Sequence, residues 1–282
     1  MIKNNGEYMA KRKKILVSAV IISFNEENCI ERAVKSVKWA DEVIVVDSGS
    51  TDSTVSLARS LGASVIHNKW PGFAAQKNFA IKKASGVWVL SIDADEEVSA
   101  ELASNIRKAA LSGENADGYW ICRKNYYYGS RDYMKHGTVF PDASIRLIKK
   151  GRGAYNAALV HEQIVVKGPT LRLAGFISHY SKPLVSEHLS AINKYTTLEA
   201  MDSFKKGRRA SGYSILIKPG YFFIKKYFFK AGFLDGFQGF LYQFLSAFYV
   251  FMHEIKLLEL EKKSCVDYNP LKTLFVRYKN ME

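Results

Sequence analysis

Cysteine is scarce in this chain of 282 residues: Cys29, Cys122 and Cys265 are odd in number, far apart and without Cys-x-x-Cys or histidine-paired spacing. That pattern excludes a disulfide framework and the common zinc sites, and it points to a reducing, cytosolic compartment. Two phosphate-binding signatures are also missing. After the first apolar run the chain continues Ser23-Phe24-Asn25-Glu26-Glu27-Asn28, with no Gly-x-Gly-x-x-Gly turn, and no Gly-Lys-Ser/Thr occurs anywhere. Dehydrogenase and P-loop NTPase readings are thereby set aside. No signal-peptide pattern opens the chain, because Met1 to Ala10 is polar and Lys11-Arg12-Lys13-Lys14 leads into the first apolar run, so residues 1–14 read as a basic arm. Acidic residues are absent between Asp202 and Asp235, where eight Lys and Arg lie. Of the net charge of +14, the last eighty residues carry +8, from fourteen basic and six acidic side chains. Such a patch implies an anionic partner, nucleic acid or membrane, and charge alone does not choose between them.

What is present in the first hundred residues is alternation. Apolar runs at Ile15 to Ile22, Val43 to Val46, Ala63 to Ile66 and Val87 to Ile92 resemble buried parallel strands. Between them Glu26 to Lys38, Ser53 to Leu61 and Ala74 to Ala84 have helical spacing, with Gly62 and Gly86 where C-caps are expected. The β-α order predicts an α/β domain with a mainly parallel, Rossmann-like sheet and right-handed crossovers. From Asp117 to His179 short strands alternate with polar loops, at Tyr119 to Arg123, Ser144 to Ile148, Gln163 to Val166 and Leu171 to Ile177, with Gly151 and Gly153 in a loop. A helical pattern begins at Ser186.

Chemistry concentrates at the predicted strand ends. Ser91-Ile92-Asp93-Ala94-Asp95-Glu96 follows Val87 to Leu90 and sets an Asp-x-Asp pair where open α/β sheets bind ligands. Hard carboxylate oxygens there suit Mg²⁺ or Mn²⁺ and a nucleotide diphosphate, although acidic residues also end strands and cap helices without any such role. Asp47 ends the second run and opens Asp47-Ser48-Gly49-Ser50-Thr51-Asp52, where a carboxylate can meet a base or ribose and Asp52 reads first as a helix cap. Asn25 and Glu26 hold the same position after the first strand, so three strand ends present polar groups to one rim.

Four segments, Val20 to Glu26, Val45 to Asp52, Ala75-Gln76-Lys77-Asn78 and Ser91 to Glu96, resemble in order and spacing the inverting family 2 glycosyltransferases of the GT-A fold. Later pieces, including Pro141-Asp142, Arg146-Leu147, Val160-His161-Glu162 and Ile177-Ser178-His179-Tyr180, are similar to the lipopolysaccharide inner-core β-1,4-glucosyltransferases. The resemblance implies a nucleotide-sugar donor subsite of Ser23, Asn25, Glu26, Asp47, Gln76, Lys77, Asn78 and Asp93, with Asp47 toward the base. It implies a Mg²⁺ or Mn²⁺ ion on Asp95, Asp93 and His179. Lys77 departs from the arginine common at its position, and a lysine meets phosphate with less geometric definition. Inverting displacement needs a general base on the acceptor hydroxyl, for which Glu162 is the candidate, its alternative being a surface carboxylate on an edge strand. Asp142, Arg146 and His161 are provisional acceptor contacts. Arg146 serves equally well to hold a buried carboxylate, and His161 reads first as structural.

Fourteen of the thirty-seven aromatic residues lie between Tyr221 and Phe251, interleaved with Lys225, Lys226 and Lys230. The charge-free run Gly236 to Met252, seventeen residues with Gln238 and Gln243, is at the short limit for a membrane span. Interfacial amphipathic helices on an anionic membrane fit this tract better than nucleic acid or a packed hairpin. The sequence therefore leads to an arm at 1–14, a GT-A catalytic domain at 15–185 and a helical, membrane-interfacial extension at 186–282. The expected activity is transfer of glucose from UDP-glucose to a lipid-linked or lipopolysaccharide saccharide, at the inner face of the cytoplasmic membrane and without a nucleic-acid partner. The alternatives are a sugar nucleotidyltransferase, whose glycine-rich first loop is missing, and a non-catalytic binding module.

Overall fold

In the first strand, β1 (Val17–Ser23), Val17, Ala19 and Ile21 join one apolar cluster and Val20 another. A strand apolar on both parities is satisfied only between two layers. Helices α1 (Ile30–Ser36), α2 (Thr54–Ser60) and α4 (Ala100–Ser112) supply one layer through Ile30, Val34, Ala58, Leu102 and Ile106. The other comes from Ala80 and Ile81 of α3 (Phe73–Lys83) together with Ile148 and Tyr155. The computed structural model describes residues 16–156, 162–181 and 184–264.

β2 (Glu42–Asp47), β3 (Ser64–His67) and β4 (Trp88–Asp93) complete the expected β-α alternation. They are followed by β5 (Glu96–Val98), β6 (Gly118–Tyr126), β7 (Asp142–Lys149), β8 (Gly153–Tyr155), β9 (Ile164–Val166) and β10 (Thr170–Tyr180). The eight-stranded sheet has the order β3-β2-β1-β4-β7-β6-β10-β5. Strands β3, β2, β1 and β4 are parallel, as are β6 and β10, while β7 and β5 pair antiparallel. Register aligns the rim, with Ser23 opposite Asp47 and Ile22 opposite Asp93.

Some local expectations shift. α1 begins at Ile30 rather than Glu26, because the Glu26 carbonyl accepts the amides of Cys29 and Ile30 in a turn that precedes the helix. Gly62 follows α2 at φ +90 as a C-cap glycine should. Gly86 is not a cap: its amide donates to Ser18 Oγ at 2.8 Å, and a Cβ there would lie 2.7 Å from that oxygen. Gly153 sits in β8, paired with β9, rather than in a loop.

Beyond the sheet run α5 (Val185–Lys205), α6 (Gly212–Leu216), α7 (Lys218–Ile224), a π-helical turn (Lys225–Phe229), a 3-10 turn (Gly232–Asp235) and α8 (Gly236–Ser264). Ala200 and Met201 of α5 pack on Leu257 and Leu260 of α8. The aromatic tract is thus broken at an elbow, where Ala231 has φ +56 and Gly236 φ +64. Asp235 ties this elbow to the loop before β7, accepting the amides of Lys135 at 3.1 Å and His136 at 2.8 Å and pairing with His136 Nδ1 at 2.8 Å. Among the described residues no helix is long and apolar enough to cross a membrane.

The β10–β6 register shifts between Arg172 and Phe176, where Gly175 holds φ +94 and an added Cβ would approach the Leu102 amide to 2.5 Å. Gly175→Ala is therefore expected to destabilise the protein by about 2 kcal/mol, through positive-φ strain and overpacking against α4. Urea denaturation measures this, and an unmoved midpoint would show that α4 yields to the methyl group.

Candidate active site

The loops leaving β1 and β2 are stitched together. Asn25 Oδ1 accepts the Thr51 amide at 2.9 Å, the Glu26 amide donates to Thr54 Oγ1 at 2.8 Å, and the Glu27 amide donates to Asp52 Oδ2 at 3.1 Å. Asp52 also accepts the Thr54 amide at 3.0 Å at the start of α2. Asp47 is buried and takes the amides of Gly49 and Ser50 on one oxygen, at 2.8 and 2.9 Å, and the hydroxyls of Ser23 and Ser50 on the other. The carboxylate expected to meet a base thus shapes the Ser48–Thr51 turn itself. Four donors thus surround this carboxylate and fix its orientation at the rim.

Lys77 is the centre of the groove. Its ammonium, on a side chain only 8 % exposed, lies 2.9 Å from Asp93 Oδ1 and 2.9 Å from Glu162 Oε1. Burial by itself would pull this ammonium down, but Asp93 and the other negative groups beside it outweigh burial and hold its pKa above the ordinary lysine value. Lys77 clamps two carboxylates across the groove. Its neighbours are also turned inward. Gln76 is fully buried, accepting from Asn68 Nδ2 at 2.6 Å and donating to Ser48 Oγ at 3.0 Å, and Asn78 exchanges two bonds with the Tyr155 backbone at 3.0 and 2.8 Å. Both side chains thereby position α3.

From Asp93 the polar chain continues inward. Arg146 Nη1 reaches Asp93 Oδ2 at 3.5 Å and Nη2 reaches Glu96 Oε1 at 2.8 Å. Arg123 meets the same Glu96 oxygen at 3.3 Å and Asp142 Oδ2 at 2.8 Å. Arg146 is buried and holds the buried Glu96 carboxylate, one of the two readings that its sequence position leaves open. Asp142 likewise accepts from Arg123 and Asn125. His161 lies outside the described residues.

On the other side Asn125 Nδ2 donates to Asp142 Oδ2 at 2.9 Å, which fixes the amide so that its oxygen accepts from His179 Nδ1 at 2.7 Å. His179 Nε2 lies 3.1 Å from Asp95 Oδ2. An imidazole oriented by a second residue is the usual arrangement at a metal. Along this network Asp93, Asp95, Glu96, Asp142 and Glu162 interleave with Lys77, Arg123, Arg146 and His179. Asp95 and His179 are the donor types that a divalent ion takes, with substrate oxygens and water completing its shell. Asp93, the other carboxylate of the expected set, pairs with Lys77 at 2.9 Å and with Arg146 at 3.5 Å. Among the described residues no group of three or more His, Cys, Asp or Glu could hold a metal on its own.

Sequence reasoning missed Glu96, Arg123, Asn125 and Tyr155, whose hydroxyl bonds Ser91 Oγ at 3.0 Å beside Lys77. Glu96 adjoins the Asp-x-Asp pair and was legible as a neighbour, whereas the others carry no local signal.

The family model described as Glycosyl transferase family 2 matches residues 18–174. An uncharacterized glycosyltransferase of Rickettsia typhi is 35 % identical over 259 residues, 88 % of each chain. The lipopolysaccharide core biosynthesis glycosyltransferase LpsC of Rhizobium meliloti is 30 % identical over 253 residues, 87 % of this chain and 93 % of its own. Glucosyl-3-phosphoglycerate synthase from Mycobacterium tuberculosis, solved with Mn²⁺, UDP and glucosyl-3-phosphoglycerate, superposes with a TM-score of 0.46 at 21 % identity, over 70 % of this chain and 82 % of that one. That likeness is too slight to bear on ligands.

Burial alone would raise the Asp93 carboxyl, yet Lys77 and Arg146 more than reverse it and hold the group below the usual range; Arg123 does the same for Asp142. Carboxyls depressed on folding contribute stability that is present above the unfolded value of about 4 and is lost as pH falls through the lower folded value. Melting temperature should therefore drop steeply below about pH 4. Asp93→Asn should melt lower than wild type at pH 7 and lose less on acidification. Parallel curves would assign the acid loss to other carboxylates.

Proposed function

This chain belongs to glycosyl transferase family 2, and from that premise we propose that it transfers a sugar, glucose from UDP-glucose in the first instance, with inversion, to a saccharide of the lipopolysaccharide core or a related cell-envelope glycan. The role of the Rhizobium meliloti relative in lipopolysaccharide core biosynthesis supports the acceptor class. The observation that carries the mechanism is Lys77, whose ammonium brings Glu162 to the rim occupied by Asp93.

Glu162 takes the proton of the acceptor hydroxyl as its oxygen bonds to the anomeric carbon. The opposite bond, from that carbon to the diphosphate, breaks, and its electron pair leaves with the nucleotide. Lys77 fixes the Glu162 carboxylate at 2.9 Å, so the base is oriented before the acceptor arrives. Ser23, Asn25, Glu26 and the Asp47 turn form the nucleotide side of the groove. Mg²⁺ or Mn²⁺ held by Asp95 and His179 would neutralise charge on the departing diphosphate.

Residues 186–264 we assign to an extension that docks peripherally on the inner face of the cytoplasmic membrane. Phe228, Phe229, Phe233 and Phe237 at the elbow are exposed, Phe229 by 79 %. Burial, and then the like charges of Lys225 and Lys230, lower the Lys226 pKa, a crowding that an anionic surface would relieve.

Purified protein incubated with a panel of nucleotide sugars and Mn²⁺ is expected to turn over UDP-glucose in the presence of lipopolysaccharide core acceptor. Glu162→Gln should retain UDP binding and lose roughly 10²-fold or more in turnover; near-normal turnover at saturating acceptor would move the base elsewhere. Sedimentation with anionic liposomes should be only partly reversed by high salt, because lysines supply a screened part and buried phenylalanines an unscreened one. Changing Phe228, Phe229 and Phe233 to Ser should abolish it without loss of UDP binding. Full release at moderate salt would reduce the contact to charge, and no sedimentation at all would make this surface a protein interface.

A further inference from the structure

Tyr195 belongs to none of the strand-end motifs and lies beyond the segment matched to the family. Two contacts locate it. Lys194 Nζ stands 6.0 Å from the ring centroid of Phe73, and Phe73 is one helical turn from Lys77 on the same face of α3. Seven residues before Tyr195, on the same side of α5, His188 Nδ1 bonds the Tyr128 hydroxyl at 2.7 Å. Tyr128 holds φ +55, a conformation rare for a bulky side chain, three residues past the Asn125 that orients His179. α5 therefore runs from the His179 side of the groove to the Glu162 side.

We propose that α5 walls the acceptor side of the site and that the half-buried Tyr195 hydroxyl binds the acceptor saccharide beside Glu162. This rests on the transferase function proposed above. The phenol is pushed above its ordinary value by burial and then by Glu162 and Asp93, with Asp95 adding and Lys77 opposing, so it lies in the field of the whole catalytic rim. A phenol donates to one sugar hydroxyl and accepts from another. The rest of the wall is aromatic. Tyr127 packs on Tyr242 of α8 at 4.6 Å between centroids, and His188 stacks with Tyr127 at 6.3 Å. Flat rings with polar edges suit a pyranose, which presents C–H faces to the rings and hydroxyls to the phenols. The acceptor class is thus a polyhydroxylated ring, selected by a helix outside the matched family segment.

The test measures two affinities on one preparation: UDP with Mn²⁺, and deacylated lipopolysaccharide core oligosaccharide added to the UDP complex. Tyr195→Phe keeps the ring and is expected to weaken oligosaccharide binding about tenfold, the scale of one hydrogen bond, while UDP affinity stays within twofold of wild type. Unchanged oligosaccharide affinity overturns the proposal, as does a UDP affinity that falls by the same factor. Wild-type protein that binds UDP but not the oligosaccharide overturns the acceptor wall and leaves the donor site standing. Protein that binds neither brings down both.

Discussion

Glu96, a carboxylate with no solvent exposure, is the constraint on which the rest of the groove depends. One oxygen accepts the amide of Asp93 at 2.9 Å, and the other takes Arg146 at 2.8 Å and Arg123 at 3.3 Å. The first bond closes the turn after β4, so Asp93 and Asp95 leave it in different directions, toward Lys77 and toward His179 respectively. The arginines come from β6 and β7, which binds the parallel half of the sheet to the antiparallel half through a buried charge. Such a carboxylate is tolerable only while its cations stay in place, since removing one partner of a buried pair typically costs about 3–5 kcal/mol.

The same logic accounts for a lysine at position 77. A guanidinium presents a planar fork matched to one carboxylate or phosphate, whereas an ammonium is a compact point charge that can serve two carboxylates from different directions. Two contacts of 2.9 Å to Asp93 and Glu162 use that property. One ammonium thus holds Glu162 and Asp93 across the groove.

The C-terminal helices are joined to this site at two levels. Asp235 fastens the exposed aromatic elbow to the loop that ends at β7, the strand carrying Asp142 and Arg146. α5 and α8 bring His188 and Tyr242 against Tyr127 and Tyr128 at the end of β6. The exposed elbow and the aromatic end of β6 are therefore both joined to the helices that follow the sheet.

The β-α order of the first hundred residues was legible in the sequence because hydrophobic periodicity is local, and each run of Val and Ile declares its own burial. The strand-end motifs were legible for the same reason, since a polar residue closing an apolar run marks the rim wherever the sheet goes. What a polar side chain does at the rim was not. Gln76, Asn78, Asp142 and Arg146 have the residue types of ligand contacts, yet each is spent on a protein partner brought from elsewhere in the chain. Asn125, Arg123 and Tyr195 carried no local signal and enter the site only because β6 and α5 pass beside it. Burial and pairing are properties of neighbours in space, and an ionisable group in low dielectric takes its role from whichever opposite charge the tertiary fold sets against it.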